Sequence, residues 1–262
     1  MIIVTRKDNR SPHTINTSQD SLNRSFQSYV KVRDKVEVDD SYIRVGELEI
    51  ELRDAEIYTP IEIVKIRDVD DSLEKLFWKG LNSIMILYSI SSSCISILEL
   101  DGFREFLKNV VYPFSRRNVE AVKRIEEYRA LLGLGGGFTP SGDDFLLGFI
   151  SIVNLVDEEL QVPKIVLDED VLFNYTNWVS GMFLKYAQHG LYDEHLHQLL
   201  TSLSLRDEEI FTDSLLQLVR RGHTSGLDIS LGVVTGLASI IDILKSRGLT
   251  EKLIKDVLNI SL

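Results

Sequence analysis

The residues best suited to chemistry occur in one pattern, used twice. Residues 132–148 read Leu-Gly-Leu-Gly-Gly-Gly-Phe-Thr-Pro-Ser-Gly-Asp-Asp-Phe-Leu-Leu-Gly, and residues 222–232 read Gly-His-Thr-Ser-Gly-Leu-Asp-Ile-Ser-Leu-Gly. Superposing Ser141 on Ser225 pairs Gly142 with Gly226, Asp144 with Asp228 and Gly148 with Gly232. Each segment is turn-rich and runs into an apolar helical pattern. A loop entering a helix presents unbonded N–H groups and the positive end of the helix dipole. Two such mouths on one cleft would hold a small anion.

Candidate roles follow from residue type. Backbone N–H groups of Gly135, Gly136, Gly137, Ser141, Gly142 and Asp143 are the expected anion cradle, because glycine lets a ligand approach the main chain. Thr139, Ser141, Thr224 and Ser225 add hydroxyl donors, and Gly226 repeats Gly142. His223, just before the second helix pattern, suits proton donation or anion binding. Asp144 and Asp228 would orient it or hold a metal. Asp143 and Asp144 are hard oxygen ligands of the kind Mg²⁺ takes, though neighbouring acids on a helix point about 100° apart. No cofactor is required by the pattern. An alternative explains part of it: Ser-x-x-Asp before an apolar run is also a capping box. Capping accounts for Ser141, Asp144, Ser225 and Asp228, but not for the glycines, Asp143 or His223.

Familiar nucleotide loops do not fit. A P-loop needs Lys and Ser/Thr after its last glycine, whereas Gly142 is followed by Asp143-Asp144. A dinucleotide fingerprint from Gly133 would need glycine at Phe138.

The elements around these loops set their positions. The 262 residues are 44% hydrophobic and 26% charged, enough for a substantial core. Asp plus Glu number 40 against 29 Lys plus Arg, a net charge of -11 that argues against nucleic acid as a partner but not against a small anion. The single cysteine, Cys94, excludes an intrachain disulfide and fits a cytoplasmic setting. No signal-peptide core and no membrane span are expected.

Residues 26–66 alternate with period two, most strictly over Glu47-Leu48-Glu49-Ile50-Glu51-Leu52. They predict a small antiparallel β unit. A short helix is expected over 72–79 and buried strands over 83–100. Helical spacing then takes over: Val119–Leu132, Phe145–Val156, Val171–Tyr186, Ile210–Val219, Val233–Leu244 and about Thr250–Asn259. His195-x-His197 reads as a solvated segment. The expected fold is α+β, with a β-rich N-terminal domain over 1–105 and a mainly helical domain over 106–262 carrying both motifs.

At these motifs the chain resembles the AllH-type family, long catalogued as a domain of unknown function, whose named member is a subunit of oxamate carbamoyltransferase in allantoin breakdown. The family pattern G-x-G-x-G-[LF]-T-P-S-G-D-D-x-L-x-G is met in 133–148, and G-H-[ST]-S-G-x-D in 222–228. An intervening pattern is met by Thr176, Ser180, Leu184, Ala187 and Gly190 with one residue more between Ser180 and Leu184. The resemblance spans roughly 100–245. It implies carbamoyl transfer between an oxamate- or oxalurate-like compound and phosphate or carbamoyl phosphate, within purine catabolism. It also implies hetero-subunit partners, leaving self-association open. The alternative is a non-catalytic subunit that binds an anion or nucleotide and docks on a larger partner.

Overall fold

A computed structural model describes residues 3–5, 10–11, 14–16, 28–90, 97–123, 125–220 and 224–262. The protein is α+β and divides into two compact units, Met1–Ile61 and Glu62–Leu262.

The first unit carries the strands. β1 (Ile3–Thr5) pairs in parallel with β2 (Thr14–Asn16). β3 (Val36–Val38), β4 (Tyr42–Val45) and β5 (Leu48–Glu51) form an antiparallel meander. The strict alternation of 47–52 becomes its register: Leu48 and Ile50 are buried with Ile43, while Glu49 and Glu51 face outward. Val45 pairs with Leu48 across a tight turn at Gly46, whose φ of 57° favours glycine. Arg44 faces Glu49 across the pair and bonds it at 2.5 Å. The expected β character does not extend to Ile57 and Ile61, which are exposed and outside any strand.

The second unit is helical. Residues 62–105, expected in the β-rich part, contribute helices to it. The predicted strands over 83–100 are corrected in both described parts, because α1 is one helix from Asp71 to Ile90 and Ile97–Glu99 is a 3₁₀ turn. Its buried residues Leu73, Leu76, Phe77, Gly80, Leu81 and Ile84 hold helical spacing throughout. The serines that suggested strand are accommodated: Ser83 donates to the Lys79 carbonyl and Ser89 to that of Ile86.

α2 (Asp101–Phe106) continues through a π turn at Leu107–Val111 into α3 (Tyr112–Ser115). The helix expected over 119–132 is broken into a 3₁₀ segment, Val119–Lys123, and α4 (Ile125–Tyr128). α5 covers Ser141–Asn154. The helix expected over 171–186 is two, α6 (Glu169–Tyr175) and α7 (Trp178–Gln188), because Asn177 leaves helical geometry and caps α7 through the amides of Val179 and Ser180. Around His195 and His197 there is a helix, α8 (Glu194–Leu205), capped by Asp193 and burying Leu196, Leu199, Leu200 and Leu203. α9 (Glu208–Val219), α10 (Ser225–Lys245) and α11 (Leu249–Lys252) complete the unit.

The core is built round α5 and α10. Every residue of α5 is buried, as is every residue of α10 from Gly226 to Ile243. α10 is long and apolar enough to cross a membrane, but here its surface from Gly226 to Ile243 is taken up by packing.

Candidate functional site

Glycines bring α5 and α10 into direct main-chain contact. A Cβ on Gly148 would stand 1.9 Å from the Ile229 carbonyl oxygen, and one on Gly232 would stand 2.0 Å from that of Phe145. Gly236, one turn on, faces Phe149 and Ile152. The contacting positions advance together, from Phe145 to Ile152 on α5 and from Ile229 to Gly236 on α10, so the two run parallel with their N-termini at one end. Ile229 and Phe145 are the same position of the two motifs, each four residues after its Ser. The motifs are therefore related by an approximate two-fold axis along the helix pair.

The mouths meet directly. The Thr139 and Ser225 hydroxyls share a hydrogen bond of 2.9 Å across 86 positions of sequence. Tyr88, from the last turn of α1, donates to Asp228 Oδ1 at 2.5 Å. Asp228 and Asp144 are 0% and 3% exposed. Neither helix has a side-chain cap: Pro140 and Thr224 hold the N-cap positions, and Ser141 and Ser225 begin the helices proper. This overturns the capping-box reading. The acids lie one turn inside, too deep and too buried to serve as caps.

Burial lifts the Asp228 carboxyl to about 6, against the opposing pull of the Tyr88, Ser141 and Thr224 hydroxyls. Burial likewise raises the Tyr88 phenol well above its usual value, with further push from Asp228 and Asp144. Both acids therefore act on one hydroxyl.

The remaining residues separate by role. Asp143 faces away from the pair. Its Oδ1 accepts from the Gly133 amide at 2.8 Å and its Oδ2 from the Thr176 hydroxyl. Burial raises its carboxyl, opposed by Thr176, Gly133 and Ser180. Asp143 thus ties the glycine loop to the α6–α7 turn, where Asn177 also holds the Phe138 carbonyl at 3.1 Å. Loop residues Gly135, Gly136 and Gly137 are exposed, and Gly133, Gly135 and Gly137 have φ of 73°, 105° and 99°.

Gly142 and Gly226 serve packing instead. Their Cβ positions lie 2.1 Å from the Leu131 carbonyl oxygen and 1.9 Å from that of Leu218. The Gly142 and Asp143 amides, expected in the anion cradle, are spent on the Leu134 and Pro140 carbonyls. On α10 the first helical bond is from the Asp228 amide to the Thr224 carbonyl, and the amides of Ser225, Gly226 and Leu227 precede it. His223, like Cys94, lies outside the described residues. Among the described residues no three His, Cys, Asp or Glu side chains form a metal-binding group.

Sequence reading missed Tyr88 because a strand was expected there. The helical signal was present: Tyr88 follows Leu81 and Ile84 at spacings of seven and four. Thr176 entered only through the family pattern.

One comparison bears on the family. Residues 131–237 match the family model of the oxamate carbamoyltransferase subunit AllH. The AllH match bears out the resemblance read from the motifs. It begins at Leu131, whose carbonyl packs against Gly142, and ends one residue beyond Gly236, the last glycine of the helix contact. The AllH span therefore contains both motifs and the whole glycine-lined contact, while Tyr88 lies outside it. No solved structure matches the chain.

Proposed function

We propose that this chain is a cytoplasmic carbamoyltransferase subunit, and that the paired mouths of α5 and α10 take a small anionic substrate. The observation that carries this reading is the Thr139–Ser225 bond joining the two motifs at parallel helix N-termini, inside the segment that matches the AllH family. Aligned helix ends favour negative charge through their dipoles and leading amides. Carbamoyl phosphate, phosphate, oxamate and oxalurate are all small anions.

In the reaction this implies, a phosphate oxygen attacks the carbamoyl carbon of an oxalurate-like compound. The bond from that carbon to the oxamate nitrogen breaks, and the nitrogen takes up a proton. Gly135, Gly136, Gly137, Ser225 and Gly226 would supply amides, and Thr139, Ser141 and Thr224 hydroxyls. His223 would deliver the proton, with Asp144 and Asp228 orienting it. The family name also supports hetero-subunit partners for this chain. A second reading, an anion-binding subunit without chemistry of its own, is favoured by Phe138 and Trp178. These stand 69% and 59% exposed beside the glycine loop, where a partner chain would cover them.

Thermal-shift titration of the chain with carbamoyl phosphate, phosphate, oxamate and ATP tests the site. Stabilisation by the first three that is lost in Thr139→Val and His223→Ala is expected. Indifference to all of them would overturn the anion site. Binding without turnover in the presence of its partner subunits would select the second reading.

A further inference from the structure

Amides and hydroxyls at a helix mouth hold small anions with little regard to what else the anion carries. One group at the α10 mouth is different in kind. Asp228 lies in the first turn of α10 and is 0% exposed. Its Oδ1 accepts from the Tyr88 hydroxyl at 2.5 Å, whereas its Oδ2 is buried without a hydrogen-bond partner. The Ser141 and Thr224 hydroxyls are near enough to pull on the carboxyl, yet neither completes a bond to Oδ2. Both of those hydroxyls belong to the mouth: Thr224 is the N-cap of α10 and Ser141 the first residue of α5. The Asp228 carboxyl therefore borders the place where the anion would sit.

A buried acceptor left open is costly, the more so on a charged group. With its carboxyl lifted only to about 6, Asp228 is an anion at neutral pH, and its oxygens then only accept. Whatever completes Oδ2 must bring an N–H or O–H. Tyr88 sets the direction. By holding Oδ1 from the last turn of α1, it fixes the rotation of the carboxyl and leaves Oδ2 as the open end.

We propose that Asp228 Oδ2 receives an N–H of a primary amide on the anionic ligand, and that Tyr88 is the positioning residue that holds the carboxylate for it. Carbamoyl phosphate, oxamate and oxalurate each carry an NH₂ beside a carbonyl, and inorganic phosphate does not. The anionic end would rest on the leading amides of α10, where Ser225, Gly226 and Leu227 precede the first helical bond. The inference rests on the anion-site reading and adds the group that tells one small anion from another. It gives Asp228 to the ligand rather than to His223. It also brings in a residue of α1, since Tyr88 lies outside the span 131–237 that matches the family.

The test compares ligands that differ only in the amide. Pyruvate is oxamate with a methyl in place of NH₂, and acetyl phosphate stands in the same relation to carbamoyl phosphate. Calorimetric titration of the full chain should show each amide binding at least about tenfold more tightly than its methyl counterpart, the worth of one hydrogen bond to a charged group. Asp228→Asn, which offers an N–H of its own at Oδ2, should bring each pair to within about threefold. Tyr88→Phe should narrow the gap, and the exposed Asp213→Asn should leave it whole. The ratio within a pair does not follow a general loss of stability, so it separates ligand recognition from a merely structural role. Equal binding of amide and methyl ligands by the wild-type chain overturns the inference whatever the variants do, and leaves the anion site standing. A full preference surviving in Asp228→Asn also overturns it. Failure of all four ligands to bind overturns both this inference and the anion site.

Discussion

The two motif arms share a plan but are anchored differently before their helices begin. The α5 arm is preceded by a glycine loop whose path is fixed by Asp143, through the Gly133 amide and the Thr176 hydroxyl. The α10 arm has Leu227 at the matching position, so it carries no such anchor. What both arms share is narrower: Ser at the first helical position, Asp one turn in, and glycines where the main chains touch. The comparison separates the repeated residues, which build and charge the helix pair, from the unrepeated ones, which shape one side of its mouth.

The sharpest way to break this comparison is at the shared glycines. Gly148→Ala and Gly232→Ala should each destabilise the fold by about 3 kcal/mol or more, because the added carbon meets a backbone carbonyl that cannot move aside cheaply. Helix propensity alone would instead give a gain of up to about 1 kcal/mol. Urea unfolding of both variants decides it, and unequal costs would weaken the two-fold relation.

Next in size is a pH effect tied to Asp228. Its carboxyl is lifted from 3.8 to about 6, so the folded protein holds a proton that the unfolded chain has released. Without added cations, stability should therefore fall as pH rises between about 4 and 6, by roughly 3 kcal/mol, and then level off. Asp228→Asn should flatten this slope, as seen in melting temperature against pH. An unchanged slope would mean that the raised carboxyl lies elsewhere.

A smaller effect is expected where the arms touch. Thr139→Val removes the bond to Ser225 and should cost about 1 kcal/mol. Ser225→Ala should cost about the same, and the double variant little more than either alone, as a double-mutant cycle would show. The smallest effect belongs to the unrepeated loop. Gly136→Ala meets nothing within 4 Å and should leave stability within about 0.5 kcal/mol. Anion binding should nevertheless weaken if this amide contributes. Gly142→Ala, facing the Leu131 carbonyl, should do the reverse and fail chiefly in stability.

Much of this was legible in the sequence. Alternation over 47–52 set the strand register, and the repeated Ser-Gly-x-Asp segments marked the two helices that now lie side by side. The misreadings have physical causes. Serines in 83–89 resembled a strand because sequence does not show their hydroxyls bonding back along the helix. Ser-x-x-Asp resembled a cap because an acid one turn into a helix has the same spacing whether it reaches the N-cap or is buried deeper. The glycines of 142 and 226 resembled ligand contacts because close approach to a neighbouring backbone and close approach to a ligand call for the same missing side chain.

The parallel pairing of α5 with α10 also has a consequence for how the protein is made. Parallel neighbours cannot be joined by a short turn, and here Ser225 follows Ser141 by 84 positions, with α6 to α9 between them. The mouth is thus a contact of long sequence separation, the class of contact whose loop-closure entropy slows folding. During synthesis α5, a helix with no exposed face, must wait for α10 to emerge before its glycine-lined surface is covered. A nascent chain that ends short of α10 exposes that surface and has half a mouth.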